Sequence, residues 1–141
     1  MSPPLGRILG LDVGSRRIGV AVSDELGLTA QPLLTLERRN RRNDLGFLAR
    51  LIRKYGCTRV VVGNPLHMSG DISPQALKSQ DFARALQQET GLEVILWDER
   101  LSTTEAHRYL DAAGHPFGKR RAVIDQVAAV LILQSFLESR R

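Results

Sequence analysis

Residues 9–24 read LGLDVGSRRIGVAVSD: an apolar run, one aspartate, a Gly-Ser turn and a second apolar run. Residues 7–13 are apolar apart from Arg7 and Asp12, the composition of a buried strand. Burying a carboxylate is unfavourable by on the order of several kcal/mol unless something compensates it, and a cation is the obvious compensator. Gly14 and Ser15 turn the chain and residues 18–22 read as a second strand, so the pair predicts a hairpin with Asp12 near its end. The competing reading is an aspartate that caps the turn through its own backbone.

Outward from this hairpin, residues 28–36 predict a third strand, interrupted by Pro32 and therefore suited to a sheet edge. Asn43 is the expected N-cap of a helix with Leu45, Leu48, Leu51, Ile52 and Tyr55 on one face and Gly56 at its end. Residues 59–63 form a β-branched run, expected as a parallel strand reached by that helix. The loop at residues 64–71 is rich in turn residues and lies where α/β proteins place ligands, so it is expected to face nucleic acid, with a plain turn as the alternative. Ser73 and Pro74 open a second helix, with Leu77, Phe82, Ala85 and Leu86 inward and Gly91 at its close. Residues 92–97 are expected as another buried strand, running into Asp98 and Glu99. Ser102 and Glu105 have capping-box spacing for a helix that stops at Gly114. Residues 122–137 then carry Val123, Val127, Val130, Leu131 and Leu137 at helical spacing, the signature of a helix laid on the sheet.

The expected fold is α/β: a mixed five-stranded sheet, three antiparallel strands followed by two parallel ones, with helices on both faces. At 141 residues one domain spanning 1–141 is expected. A single cysteine, Cys57, excludes an internal disulfide framework and reads as a small buried hydrophobe. With no secretory or membrane-spanning pattern, the expected setting is the cytoplasm.

The net charge of +5 is unevenly spread: residues 1–36 sum to zero, 37–59 to +6, 60–99 to −4 and 100–141 to +3. Arg38, Arg39, Arg41 and Arg42 form a basic run, and Lys119, Arg120 and Arg121 a second, both candidates for a nucleic-acid backbone. A solvated arginine-rich loop is the alternative for the first run. Three carboxylate positions remain: Asp12 ending the first strand, Glu99 or Asp98 ending a later one, and Asp125 opening the C-terminal helix, where helix-dipole stabilisation is the simpler explanation. Converging carboxylates would suit magnesium-type cations, which take oxygen ligands together with water and phosphate. His67, His107 and His115 are scattered without zinc spacing and are expected at the surface or in loops.

GLDVGSRRIGVAVSD, VVGNPLHMSG, WDERLSTTEA and KRRAVIDQVAAVLILQSFL, four motifs in order along nearly the whole chain, together resemble the YqgF/RuvX family of pre-16S rRNA nucleases. That family is related to Holliday junction resolvases and built on the ribonuclease-H-like fold. The resemblance implies a catalytic acidic triad, mapped onto Asp12, Glu99 and Asp125, with Mg2+ or Mn2+ as cofactor. Ser102 stands where the family commonly has threonine, and Asn64 where it commonly has leucine; neither change removes a carboxylate. The implied function is endonucleolytic 5′-end maturation of pre-16S rRNA, with precursor rRNA and ribosomal particles as partners, no membrane, and a monomer or homodimer. Three alternatives stand beside it: a resolvase of branched DNA, a nucleic-acid-binding module without catalysis, and a sugar-kinase or actin-like ATPase, which would need two such domains.

Overall fold

The computed structural model describes residues 6–64, 73–98 and 120–140. Strand β1 (Arg7–Val13) and β2 (Arg17–Ser23) form the expected hairpin, closed where the Gly14 N–H donates to the Arg17 carbonyl at 2.9 Å. β3 (Ala30–Glu37) pairs antiparallel with β2, and β4 (Cys57–Asn64) and β5 (Glu93–Asp98) continue the sheet in parallel beyond β1. The strand order β3-β2-β1-β4-β5 puts β1 at the centre, and Pro32 sits on an edge strand, where a missing N–H is tolerated. This is the mixed five-stranded sheet expected from the element order.

Side-chain alternation divides β1 between two cores. Leu9, Leu11 and Val13 pack with helix α1 (Arg41–Tyr55) and helix α2 (Pro74–Thr90), together with Val20, Val60, Val62, Leu48, Phe82 and Leu86. Ile8 faces the other way, with Ala21 and Val61, onto Ala129, Ile132, Leu133 and Phe136 of helix α3 (Arg120–Ser139). Small residues let α3 approach: a Cβ on Gly10 would lie 2.7 Å from the Leu133 Cβ, and one on Gly63 would lie 2.5 Å from the Ile132 Cδ1. Gln134 fastens α3 to the edge, its Oε1 accepting the Ala30 N–H at 2.9 Å.

Several boundaries differ from expectation. The N-cap of α1 is Asn40, not Asn43: Asn40 is extended, and its side chain accepts the Asn43 N–H at 2.8 Å. Arg41 and Arg42 therefore stand in the first helical turn, and only Arg38 and Arg39 of the basic run precede the cap. β3 begins at Ala30 because the Asp24 carboxylate first accepts the Leu28 and Thr29 N–H groups, at 2.7 and 3.0 Å. Cys57 is the first residue of β4 rather than its predecessor, and it is buried as expected. In α2 the inward stripe is Ala76, Ser79, Phe82, Ala83 and Leu86, which leaves Leu77 about one residue out of phase and 53% exposed. β5 is an edge strand and half-covered rather than buried. No described helix is long and apolar enough to cross a membrane. The loop at 65–71, the capping box at Ser102 and Glu105, Glu99, Lys119 and the three histidines lie outside the described residues.

Candidate active site

Asp12 is the penultimate residue of the central strand, in phase with Ile8 and Gly10, so its side chain shares their face of the sheet, the one covered by α3. Its antiparallel partner in β2 is Gly19. On that glycine the α3 backbone rests so closely that a Cβ there would collide with the carbonyl of Asp125. Antiparallel partners lie about 4.5–5.5 Å apart at Cα. Gly19 thus brings Asp125 beside Asp12, although 113 positions separate the two in sequence.

Asp125 is the sixth residue of α3, and no acidic residue occupies the first turn. The helix dipole acts mainly within that turn, so stabilisation of the helix start does not account for Asp125. What engages it is Arg17 of β2, whose Nε donates to Oδ2 at 2.6 Å with both side chains mostly covered. This contact raises the already high pKa of Arg17, first through the hydrogen bond to Asp125 and then through its charge. Arg17 was not among the site candidates read from sequence. Parity contained the signal: Arg17 is two residues before Gly19 and therefore on the same face of β2.

Asp98 is separated from this pair. Ile95 and Trp97 turn toward α3, where Trp97 packs edge-on to Phe136 and its Nε1 donates to the Ser135 hydroxyl at 3.1 Å. Asp98 is in phase with Val94 instead, which packs on the α1/α2 side. The described residues hold no group of three His, Cys, Asp or Glu side chains able to bind a metal. They do place two carboxylates on one face, oxygen donors of the kind that fit a hard divalent cation.

The basic run divides into two kinds of arginine. Arg38 is engaged within the fold: its Nη1 donates to the Gly14 carbonyl at 2.9 Å, its Nε to Oδ2 of the buried Asp44 at 3.2 Å, and its guanidinium lies 5.2 Å from the Phe82 ring centre. It ties the hairpin turn after Asp12 to both helices. Arg39, Arg41 and Arg42 are exposed. Arg41 and Arg42 line a groove between α1 and α2 with Leu45, Ala85, Gln88 and Glu89. Arg120 and Arg121 fall in the first turn of α3. Another arm missed from sequence is Gln75, whose Nε2 donates to the Val13 carbonyl at 2.6 Å and so links α2 to the end of β1.

A family model described as "RuvX: Holliday junction resolvase" matches residues 6–139. A curated relative from Geobacillus kaustophilus (strain HTA426) is 52% identical over 137 residues, covering 96% of this chain and 99% of the relative. One from Syntrophus aciditrophicus (strain SB) is 51% identical over 133 residues, covering 94% and 89%. Both bear the name "Putative pre-16S rRNA nuclease". Among solved structures, T. thermophilus RuvC in complex with Holliday junction substrate superposes with a TM-score of 0.59 at 14% identity, covering 96% of this chain and 95% of that one. The Fowlpox virus resolvase in complex with substrate Holliday junction DNA gives 0.57 at 15% identity, covering 95% and 98%. At such identities the likeness bears on the fold, and the fold is the ribonuclease-H-like one.

Proposed function

The chain belongs to the RuvX family, and on that premise we propose that it is a divalent-metal-dependent endonuclease whose task is 5′-end maturation of pre-16S rRNA in ribosome biogenesis. The observation that carries the reading is the contact of the Asp125 backbone with Gly19, the strand partner of Asp12, on the face of the sheet that Asp12 shares. In this reading Asp12 and Asp125, joined by Glu99, hold Mg2+ or Mn2+. The bound cations would supply an activated water and charge stabilisation for the leaving oxygen of a phosphodiester.

The protein's own residues do the rest. Asp12 is fixed by the centre of the sheet and Asp125 by a helix pressed onto β2, so neither carboxylate has to be ordered when substrate arrives. The Arg38 contacts tie the turn that follows Asp12 to Asp44 of α1. Arg39, Arg41 and Arg42, together with Lys119, Arg120 and Arg121, would bind the polynucleotide through its phosphates; such contacts set position and carry little sequence information.

The second reading is cleavage of branched DNA, favoured by the family description itself. The deciding experiment compares a ribosomal precursor RNA with a four-way DNA junction, in Mg2+ and in Mn2+, using the wild type and Asp12→Asn. Metal-dependent cleavage of the RNA that is abolished in Asp12→Asn is the expected result. Cleavage of the junction alone would select the resolvase, and cleavage of neither would leave a binding module.

A further inference from the structure

Arg17 lies on the Asp12 face of the sheet and has no part in the mechanism above. Its Nε holds Oδ2 of Asp125 at 2.6 Å, with the side chains 27% and 20% exposed. A freely exposed ion pair would contribute little, but a short, mostly covered, charge-assisted bond restrains both partners. Asp125 is thereby determined twice. Its backbone is set by contact with Gly19, and its side chain by the guanidinium from two residues earlier on the same strand. Glu37, the partner of Arg17 in β3, adds a weaker attraction for the guanidinium.

We propose that Arg17 is a positioning residue for the phosphodiester chemistry: it clamps one oxygen of Asp125, leaves Oδ1 to meet the cation, and remains beside the metal site as a resident positive charge. The proposal rests on the nuclease reading. It makes Arg17 act in two opposed ways, since its charge disfavours a nearby divalent ion while its hydrogen bond holds the ligand in the reactive orientation. Removing it should therefore give a protein that binds metal better and cleaves worse. Neither a fastener between α3 and β2 nor a phosphate-binding arginine would give that combination.

The test uses the full chain with Arg17→Gln and Arg17→Lys. Calorimetry measures Mn2+ affinity without substrate, and kcat and KM are measured at saturating Mn2+ on whichever substrate the wild type cleaves. Arg17→Gln should bind Mn2+ about three- to tenfold more tightly, the order expected for removing one screened charge several ångström from a divalent ion. Its kcat should fall by about tenfold or more because the ligand is no longer oriented, with KM within about twofold of wild type. Arg17→Lys keeps the charge but not the direction of the Nε–H, so its Mn2+ affinity should match the wild type while kcat falls by an intermediate factor. A lower Tm with metal affinity and kcat both unchanged would reduce Arg17 to a fastener. A raised KM with unchanged kcat would make it a phosphate-binding group. Should Arg17→Gln not fold, Arg17→Lys decides: a wild-type kcat overturns the clamp. A wild type that neither binds Mn2+ nor cleaves would instead remove the nuclease reading itself.

Discussion

Asp12 and Asp98 are both carboxylates at strand ends, and parity separates them: one shares a face with Gly10 and α3, the other with Val94 and the opposite helices. Asp12→Asn should abolish cleavage with the fold intact, whereas Asp98→Asn should leave the rate within about threefold, because a residue that faces away from the site alters it only indirectly. The same pair of variants can be compared by thermal melting with Mn2+. At a hundredfold excess over its dissociation constant a ligand adds about 2.7 kcal/mol, and Asp12→Asn should forfeit much of that gain while Asp98→Asn keeps it. Cys57 tests the interior instead. Burial pushes its thiol up from 9.0 to about 11, against a small opposing effect of Arg7. A raised pKa favours the neutral thiol in the fold, so its stabilising contribution is complete below pH 9 and is lost as pH rises toward 11. At pH 8 the native protein should resist iodoacetamide and become labelled only on unfolding.

For the elements, the informative cases are those in which two similar residues differ in role. Asn40→Ala should destabilise by about 1 kcal/mol through removal of the α1 cap, and Asn43→Ala by less than about 0.5 kcal/mol, as read from denaturant midpoints. Gly19→Ala sets a methyl against a peptide carbonyl, which no rotamer change relieves, and should destabilise by about 1–3 kcal/mol or more while displacing Asp125. Gly63→Ala meets mainly the far end of the Ile132 side chain and should be milder. The elements themselves were legible from local chemistry: Ser73-Pro74 opens α2, and Gly56 and Gly91 close α1 and α2 in the left-handed conformation. The start of α1 was not, because either asparagine has cap chemistry. The choice falls to Asn40 once Asp44, in the first turn, is buried against Arg38 and the Arg39 N–H. Asp12 and Asp125 were legible as candidates from their positions in apolar runs. The Arg17 partner of Asp125 was not, since an ion pair across 108 positions leaves no periodicity in either segment.

Over the whole molecule, charge is arranged as surface plus tie. Neutralising Arg39, Arg41 and Arg42 should weaken polynucleotide binding across sequences and reduce the salt slope by about 0.7–0.9 for each phosphate that is no longer neutralised. Arg38→Gln should lower Tm instead, because that guanidinium is already bonded to Gly14 and Asp44. The sheet order followed from short connections and alternating elements. Which helix covers which face depended on the three strand glycines, whose meaning appears only when α3 is seen against them. That dependence has a consequence for biosynthesis. All five strands precede α3 in the chain, and α3 brings Asp125 to Gly19. If Asp12 and Asp125 form the proposed centre, a polypeptide still emerging from the ribosome carries it incomplete until this helix has been made and has docked onto Ile8, Ala21 and Val61. On the proposed reading, a ribosome translating this chain would hold, beside its own RNA, a nascent nuclease that has not yet been armed.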